Sequence, residues 1–150
     1  MTIIENDLYK IAIRTQGAEL TSFYNKTTGT EHLWQADANI WPWHAPNLFP
    51  IVGALNNGKL LVDGNAYPME RHGFNRQREL LLLESDAQSA KFSLPYCEKT
   101  LAVYPYKFDF QYYKSTPFGS RHSRIFALYI LPYYIVQLKV GHFIFISQVK

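Results

Sequence analysis

A histidine and an arginine stand four positions apart, around a Gly-Phe pair, in the segment ERHGFNRQ over 70–77. The imidazole of His72 can donate and accept hydrogen bonds and titrates near neutral pH, so it suits acid–base chemistry. The planar guanidinium of Arg76 suits a contact with two hydroxyls or with a carboxylate. Gly73 permits a close backbone approach or a positive φ beside the histidine. The segment therefore predicts one wall of a polar site, and a surface turn with solvated side chains is the alternative.

Tryptophans are concentrated just upstream, before and within the irregular segment 41–58. Trp41 and Trp43 flank Pro42 and precede His44, and long loops of β-rich domains often carry binding sites. An indole can stack on the apolar face of a pyranose ring, and it can equally fill a core. We expect Trp41 and Trp43 at the rim of a pocket, with core packing as the alternative. Trp34 ends a predicted strand and is expected in the core.

The elements around these residues are predicted to be antiparallel strands. Apolar and polar residues alternate over 8–14, and hairpins are predicted around 25–29, 63–65 and 85–89. Aromatic residues alternate with polar ones over 106–113, which predicts a strand with the aromatics on one face. No segment before residue 113 has the period of a long helix. The chain is therefore predicted to be all-β, an antiparallel β-sandwich. The aromatics that share the face are Tyr106, Phe108, Phe110 and Tyr112.

Composition excludes several classes of protein. The 150 residues suffice for one domain, and the net charge of +3 without any run of Lys or Arg argues against nucleic-acid binding. A single cysteine, Cys97, excludes an internal disulfide framework and a cysteine-based zinc site, and the histidines have no metal-ligand spacing. Acidic residues interrupt the N-terminal segment, which does not resemble a secretory signal. We expect a cytoplasmic protein without a metal.

A resemblance adds what spacing cannot. Four segments, in order, are similar to motifs of the aldose 1-epimerase (galactose mutarotase) superfamily, in its LacX-like branch, and they span roughly residues 10–111. They are GAELTSFYNKTTGTEHLWQAD, WHAPNLFPIVGALNNGK, YPMERHGFNR and YPYKFDFQ.

The resemblance implies a large antiparallel β-sandwich that binds a small-molecule hexose. It implies interconversion of anomers, in which one group protonates the ring oxygen while a carboxylate removes the anomeric proton, and no cofactor is needed. His72 matches the family's first active-site histidine, which contacts the sugar near its ring oxygen. Arg76 matches the arginine of the same motif and Asn47 belongs to the Ala-Pro-x-Leu-Phe-Pro segment, so both are expected to bind substrate. Where the family often has Gly-Arg, this chain has Gly53-Ala54.

The resemblance ends inside the predicted strand at residue 113. Residues 114–150 contain five basic residues and no Asp or Glu, although the chain has 12 acidic residues in all. The family's second histidine, in a His-Pro-x-Phe setting, and its general-base glutamate are not visible, and His122 and His142 lack that setting. We interpret 1–113 as the N-terminal part of a truncated sandwich and 114–150 as an atypical, out-of-frame tail. Little or no epimerase activity is expected.

Two alternatives stay open. A carbohydrate-binding remnant without catalysis would keep half of the pocket. A membrane-attached protein is disfavoured, because Pro132, Gln137 and Lys139 interrupt the apolar segment 125–147, and a spanning helix needs ~20 predominantly apolar residues. The sequence leaves open which sugar is bound, whether it is phosphorylated, and the oligomeric state.

Overall fold

The structure, a computed structural model, describes residues 1–116 and the backbone of three short strands at 125–126, 128–130 and 134–136. Strands dominate it, with one helical turn, α1 (Glu98–Leu101), and 3₁₀ turns at Asn56–Gly58 and Asn75–Gln77. No helix of the described residues has the length and apolarity to cross a membrane. The strands are β1 (Thr2–Glu5), β2 (Tyr9–Ile13), β3 (Leu20–Asn25), β4 (Thr30–Glu31), β5 (Lys59–Val62), β6 (Asn65–Pro68), β7 (Leu81–Ser85), β8 (Ser89–Pro95), β9 (Asp109–Ser115), β10 (Ile125–Phe126), β11 (Leu128–Ile130) and β12 (Tyr134–Val136).

Two four-stranded sheets form the body of the fold. Their strand orders are β1-β2-β3-β4 and β10-β9-β8-β7, and β5-β6 and β11-β12 form separate two-stranded sheets. Every pairing between these strands is antiparallel. The predicted all-β, antiparallel class is therefore confirmed.

One hydrophobic core joins the two large sheets. The first sheet contributes Ile4 and Ile13, which are both fully buried, and the second contributes Phe92 and Phe110. Phe49, from the long loop between the sheets, is 1% exposed and stacks on Phe110 with ring centroids 4.1 Å apart. Burying such apolar area is the main favourable term in folding. The same core therefore anchors the loop that leads to the candidate site.

The predicted hairpins form where turn residues interrupt the alternating pattern. Strands β3 and β4 flank 25–29, and β7 and β8 flank 85–89. The β5–β6 hairpin closes through Asp63 and Gly64, whose φ angles are +48° and +78°. Two successive residues with positive φ are typical of a type I′ turn, which favours Asp-Gly because its twist suits antiparallel strands. Local turn chemistry alone was sufficient to place these hairpins.

The strand predicted over 106–113 begins later in the chain than expected. It covers Asp109–Ser115 rather than 106–113, and Tyr106 is 38% exposed in the preceding loop. The reason is the partner strand: Pro95, the last residue of β8, pairs with Asp109, and beyond it only the N–H of Tyr96 bonds to the carbonyl of Phe108, at 2.9 Å. Phe108 and Phe110 are nevertheless buried, as predicted.

The inward face of β9 ends in a lysine. Lys114 follows Phe110 and Tyr112 along this face and is only 4% exposed. Burial lowers the pKa of its ammonium to about 8, and the carboxylate of Glu19 partly offsets this effect. A buried cation here links the end of the second sheet electrostatically to Glu19, a buried acid in the turn between β2 and β3.

Candidate functional site

His72 is clamped to the long loop by two hydrogen bonds. Its backbone N–H donates to the carbonyl of Gly53 at 2.7 Å, and the N–H of Gly53 donates to the imidazole Nδ1 at 2.9 Å. Because Nδ1 accepts, the neutral ring carries its proton on Nε2, which makes no hydrogen bond to the described residues. Desolvation and the positive charges of Arg71 and Arg76 lower the pKa of His72. The site therefore presents a neutral imidazole with an available N–H donor.

Position 73, directly after His72, requires glycine because the backbone there lies very close to the carbonyl of Phe49. Gly73 has φ +70°, and a Cβ at this position would lie 2.1 Å from the carbonyl oxygen of Phe49. That oxygen accepts hydrogen bonds from the N–H groups of Phe74 and Asn75 at 2.9 and 3.2 Å. These contacts hold residues 73–75 against Phe49, the loop residue that packs in the core. His72 itself has φ +70°, a conformation uncommon for residues other than glycine.

Arg76 and Trp43, two of the predicted site residues, are in contact. The Cζ of Arg76 lies 5.1 Å from the centroid of the Trp43 ring, and the Cζ of Arg14 lies 5.4 Å from the same centroid. Both separations are within the range of cation–π attraction. The geometry therefore brings His72, Arg76 and Trp43 to one side of the molecule, and Trp43 serves as a support for two guanidinium groups.

A turn that sequence reasoning missed organises this wall. Glu19 is 1% exposed, forms an ion pair with Arg14, and accepts the backbone N–H of His44 at 2.9 Å. It thereby ties the segment beside Trp43 to the first sheet. An acid inside the Gly17-Ala18-Glu19 turn, next to an apolar strand, was the only available signal. Pattern alone could not reveal that its partner lies 25 positions along the chain.

Asn47 is fixed to the same turn. Its side-chain Nδ2 donates to the carbonyls of Gly17 and Ala18 at 2.8 and 2.9 Å. The buried Asn75 donates to the carbonyls of Gly17 and Asn47 at 3.3 and 3.0 Å, whereas its own Oδ1 has no partner among the described residues. In this structure the amide of Asn47 therefore holds two segments together rather than pointing to a ligand.

The two other tryptophans, Trp41 and Trp34, are both exposed. Trp41 is 46% exposed and lies at the surface, as a rim residue would. Trp34 was expected in the core and is instead 40% exposed, with its Nε1 donating to the carbonyl of Trp41 at 2.9 Å. The expectation for Trp34 was wrong because the short β4 ends at Glu31, so the chain has already left the sheet at this position.

A cavity of about 310 Å³ lies alongside the 70–78 segment. None of the five predicted site residues lines this cavity. Within residues 1–116, no group of three or more His, Cys, Asp or Glu side chains could hold a metal ion. His122 and His142 lie outside the described residues. The cavity is lined by Gly58, Pro68, Met69, Glu70, Gly73, Phe74, Gln77, Arg78 and Val103.

The sequence of the chain is similar to one protein family and to two named relatives. The family model for aldose 1-epimerase matches residues 1–113. Two proteins named LacX of Lactococcus lactis subsp. lactis, one plasmid-borne and one chromosomal, are each 37% identical to this chain over 115 residues, which is 73% of this chain and 38% of theirs.

Solved structures are similar over the same share of the chain. A galactose mutarotase related enzyme from Lactobacillus acidophilus is 38% identical with a TM-score of 0.75, over 77% of this chain and 39% of that one. A galactose mutarotase-like protein from Lactobacillus casei ATCC 334 is 31% identical with a TM-score of 0.75, also over 77% and 39%. The chain thus spans less than half the length of the relatives it matches.

Proposed function

Because this chain belongs to the aldose 1-epimerase family, we propose that the wall around His72 binds a hexose and contributes to interconversion of its anomers. The observation that carries the proposal is the hydrogen bond from the N–H of Gly53 to Nδ1 of His72. It leaves the proton of the neutral ring on Nε2, the arrangement needed to donate a hydrogen bond to a sugar ring oxygen. The lowered pKa of His72 favours this neutral form around pH 7.

The ring-opening step needs two groups that exchange protons in opposite directions. His72 supplies a donor for the ring oxygen, and a carboxylate must take the proton of the anomeric hydroxyl. Glu19 is buried and paired with Arg14, so it is not available as that base. Residues 114–150 contain no Asp or Glu. The proposed activity of this chain is therefore low, since each missing acid–base group lowers the rate by about 10²–10⁴-fold.

A second candidate function is hexose binding without turnover. It is favoured by the absence of acidic residues from 114–150, together with an imidazole of His72 that is held in place by the N–H of Gly53. Both candidates require the sugar to contact the same wall, so a binding measurement alone does not separate them.

Polarimetry on freshly dissolved α-glucose or α-galactose, combined with calorimetric titration of the same sugars, separates the candidates. Mutarotation above the buffer rate that disappears in His72→Ala supports catalysis. Binding that His72→Ala weakens, with no mutarotation, supports the binding function. His32→Ala is the matched control, because His32 is exposed and packs on Phe23 in the first sheet. Absence of both binding and mutarotation contradicts the proposal.

We also propose that the family-like part of the chain ends near residue 113 and that 114–150 is an out-of-frame tail. The family match ends at residue 113, and the last acidic residue of the chain is Asp109. The nucleotide sequence beyond codon 113, translated in all three frames, tests this directly. A second frame that encodes a His-Pro-x-Phe motif and a later glutamate supports the proposal. Absence of such a frame contradicts it.

A further inference from the structure

The guanidinium of Arg76 has almost no acceptors within the described residues. Its Nη2 donates to the carbonyl of Arg71 at 3.4 Å, the outer limit of a hydrogen bond, and its buried Nε has no partner. It forms no ion pair with a carboxylate of the described region, whereas the neighbouring Arg14 is paired with Glu19. Most of its N–H donors are therefore available for a ligand.

Trp43 determines how that guanidinium is held. Arg76 and Arg14 both lie within 5.5 Å of the indole centroid, at 5.1 and 5.4 Å. Contact with the ring orients a guanidinium without using its in-plane donors, because the cation interacts with the π face. Trp43 is thus occupied by cations, which disfavours a role in stacking on a sugar and favours a role in presenting Arg76.

Positive charge predominates on this side of the molecule. Arg71 and Arg76 both act electrostatically on His72. Of the acids near them, Glu19 is ion-paired with Arg14, whereas Glu70 accepts a hydrogen bond from the side chain of Gln77 at 2.9 Å and keeps its negative charge. Three guanidinium groups, those of Arg14, Arg71 and Arg76, therefore stand against these two carboxylates. A guanidinium whose N–H donors are unpaired and which lies near other positive charges can bind a phosphate or carboxylate with two parallel hydrogen bonds.

We propose that the sugar bound beside His72 carries an anionic group, a phosphate ester or a carboxylate, which Arg76 binds through its unpaired donors while Arg71 adds positive charge. This inference rests on the proposed function and specifies its substrate class. Trp43 acts as a positioning residue for Arg76.

Calorimetric titration of the full 150-residue chain tests the inference with five probes: glucose, glucose 6-phosphate, galactose 6-phosphate, glucuronate and inorganic phosphate. At low ionic strength we expect an anionic sugar to bind at least about tenfold more tightly than glucose, because the new contact is a charge-assisted bidentate pair. The preference should shrink as salt is added, since the charges are partly exposed. The phosphate and carboxylate arms identify which anionic group is preferred.

Variants assign the preference to Arg76. Arg76→Gln should abolish the difference in affinity between anionic and neutral sugars, and Arg76→Lys should retain part of that difference because the charge remains without the planar set of donors. Lys59→Gln removes one exposed charge elsewhere and should change nothing. Thermal unfolding of each variant verifies folding. If Arg76→Gln does not fold, the parent chain is compared with Arg76→Lys, and a reduced preference for anionic sugars in Arg76→Lys assigns that preference to Arg76.

Three outcomes overturn the inference: equal binding of neutral and anionic sugars, equal loss of both in Arg76→Gln, or inorganic phosphate binding as tightly as the sugar phosphates. Equal binding accompanied by His72-dependent mutarotation leaves the proposed function intact. Selective binding of an anionic sugar without mutarotation supports the inference and removes only the catalytic part of the proposed function. Absence of binding by every probe overturns both.

Discussion

At the scale of single residues, the state of His72 follows from its neighbours rather than from its type. Desolvation and, after it, the charges of Arg71 and Arg76 disfavour the imidazolium, so the pKa of His72 is lowered from its ordinary value of 6.5 in the folded chain. Arg71→Gln removes one of these charges and should raise the pKa. NMR titration of the imidazole protons measures the change, and Lys59→Gln should leave the titration midpoint unchanged. An Arg71→Gln midpoint equal to that of the parent contradicts the electrostatic explanation.

The lowered pKa of His72 also determines how its contribution to folding stability changes with pH. The pKa of His72 is lower in the folded chain than in the unfolded chain, so the unfolded chain takes up the proton first as pH falls. The contribution of His72 to stability is therefore fully present above about pH 6.5 and decreases as pH falls through the folded-state pKa.

Glu19 provides the second prediction at the residue scale. Glu19→Ala leaves the N–H of His44 without its acceptor and Arg14 without its partner, so we expect a loss of about 2–4 kcal/mol in the free energy of unfolding. The value is below that of a fully buried pair because the side chain of Arg14 is 31% exposed. Urea denaturation measures it. Glu84→Ala, in an exposed pair with Lys91, should cost less than about 1 kcal/mol.

At the scale of elements, the turn at Gly73 brings two distant segments together. In Gly73→Ala the added methyl would meet the Phe49 carbonyl at 2.1 Å and the residue would keep φ +70°. We expect a loss of about 2–5 kcal/mol, of which ~1–2 arises from the left-handed backbone and ~1–3 from overpacking.

Gly64 is a matched control for that prediction. It has φ +78°, but a Cβ there would meet nothing within 4 Å, so Gly64→Ala should cost only about 1–2 kcal/mol. Chemical denaturation of both variants separates the steric contact from the backbone conformation. Equal destabilisation of the two variants contradicts the proposed close approach.

At the scale of the whole molecule, β7 is the most exposed apolar element that the structure describes. It lies at the edge of its sheet, and Leu81, Leu82 and Leu83 are 57%, 44% and 45% exposed. An apolar edge strand with unpaired backbone groups favours association with a second chain. We predict concentration-dependent self-association of the purified protein that decreases in the double variant Leu81→Lys, Leu83→Lys.

Sedimentation velocity over a range of concentrations measures this association. Leu61→Lys is the control, because Leu61 is 73% exposed on the separate β5–β6 hairpin and the change also adds a positive charge. An equal decrease in both variants indicates a general charge effect and contradicts association through β7. A parent chain that stays monomeric at all concentrations also contradicts it.

The sequence by itself determined the β class and the three hairpins, because alternation and turn chemistry act between residues close in the chain. Tertiary structure decided the rest. The partner strand moved the last predicted strand to Asp109–Ser115. The roles of Glu19 and Asn47 depend on contacts 25 to 30 positions away along the chain, and Asn75 reaches Gly17 across 58 positions. Such contacts exist only after the two sheets close on a common core, so no local pattern encodes them.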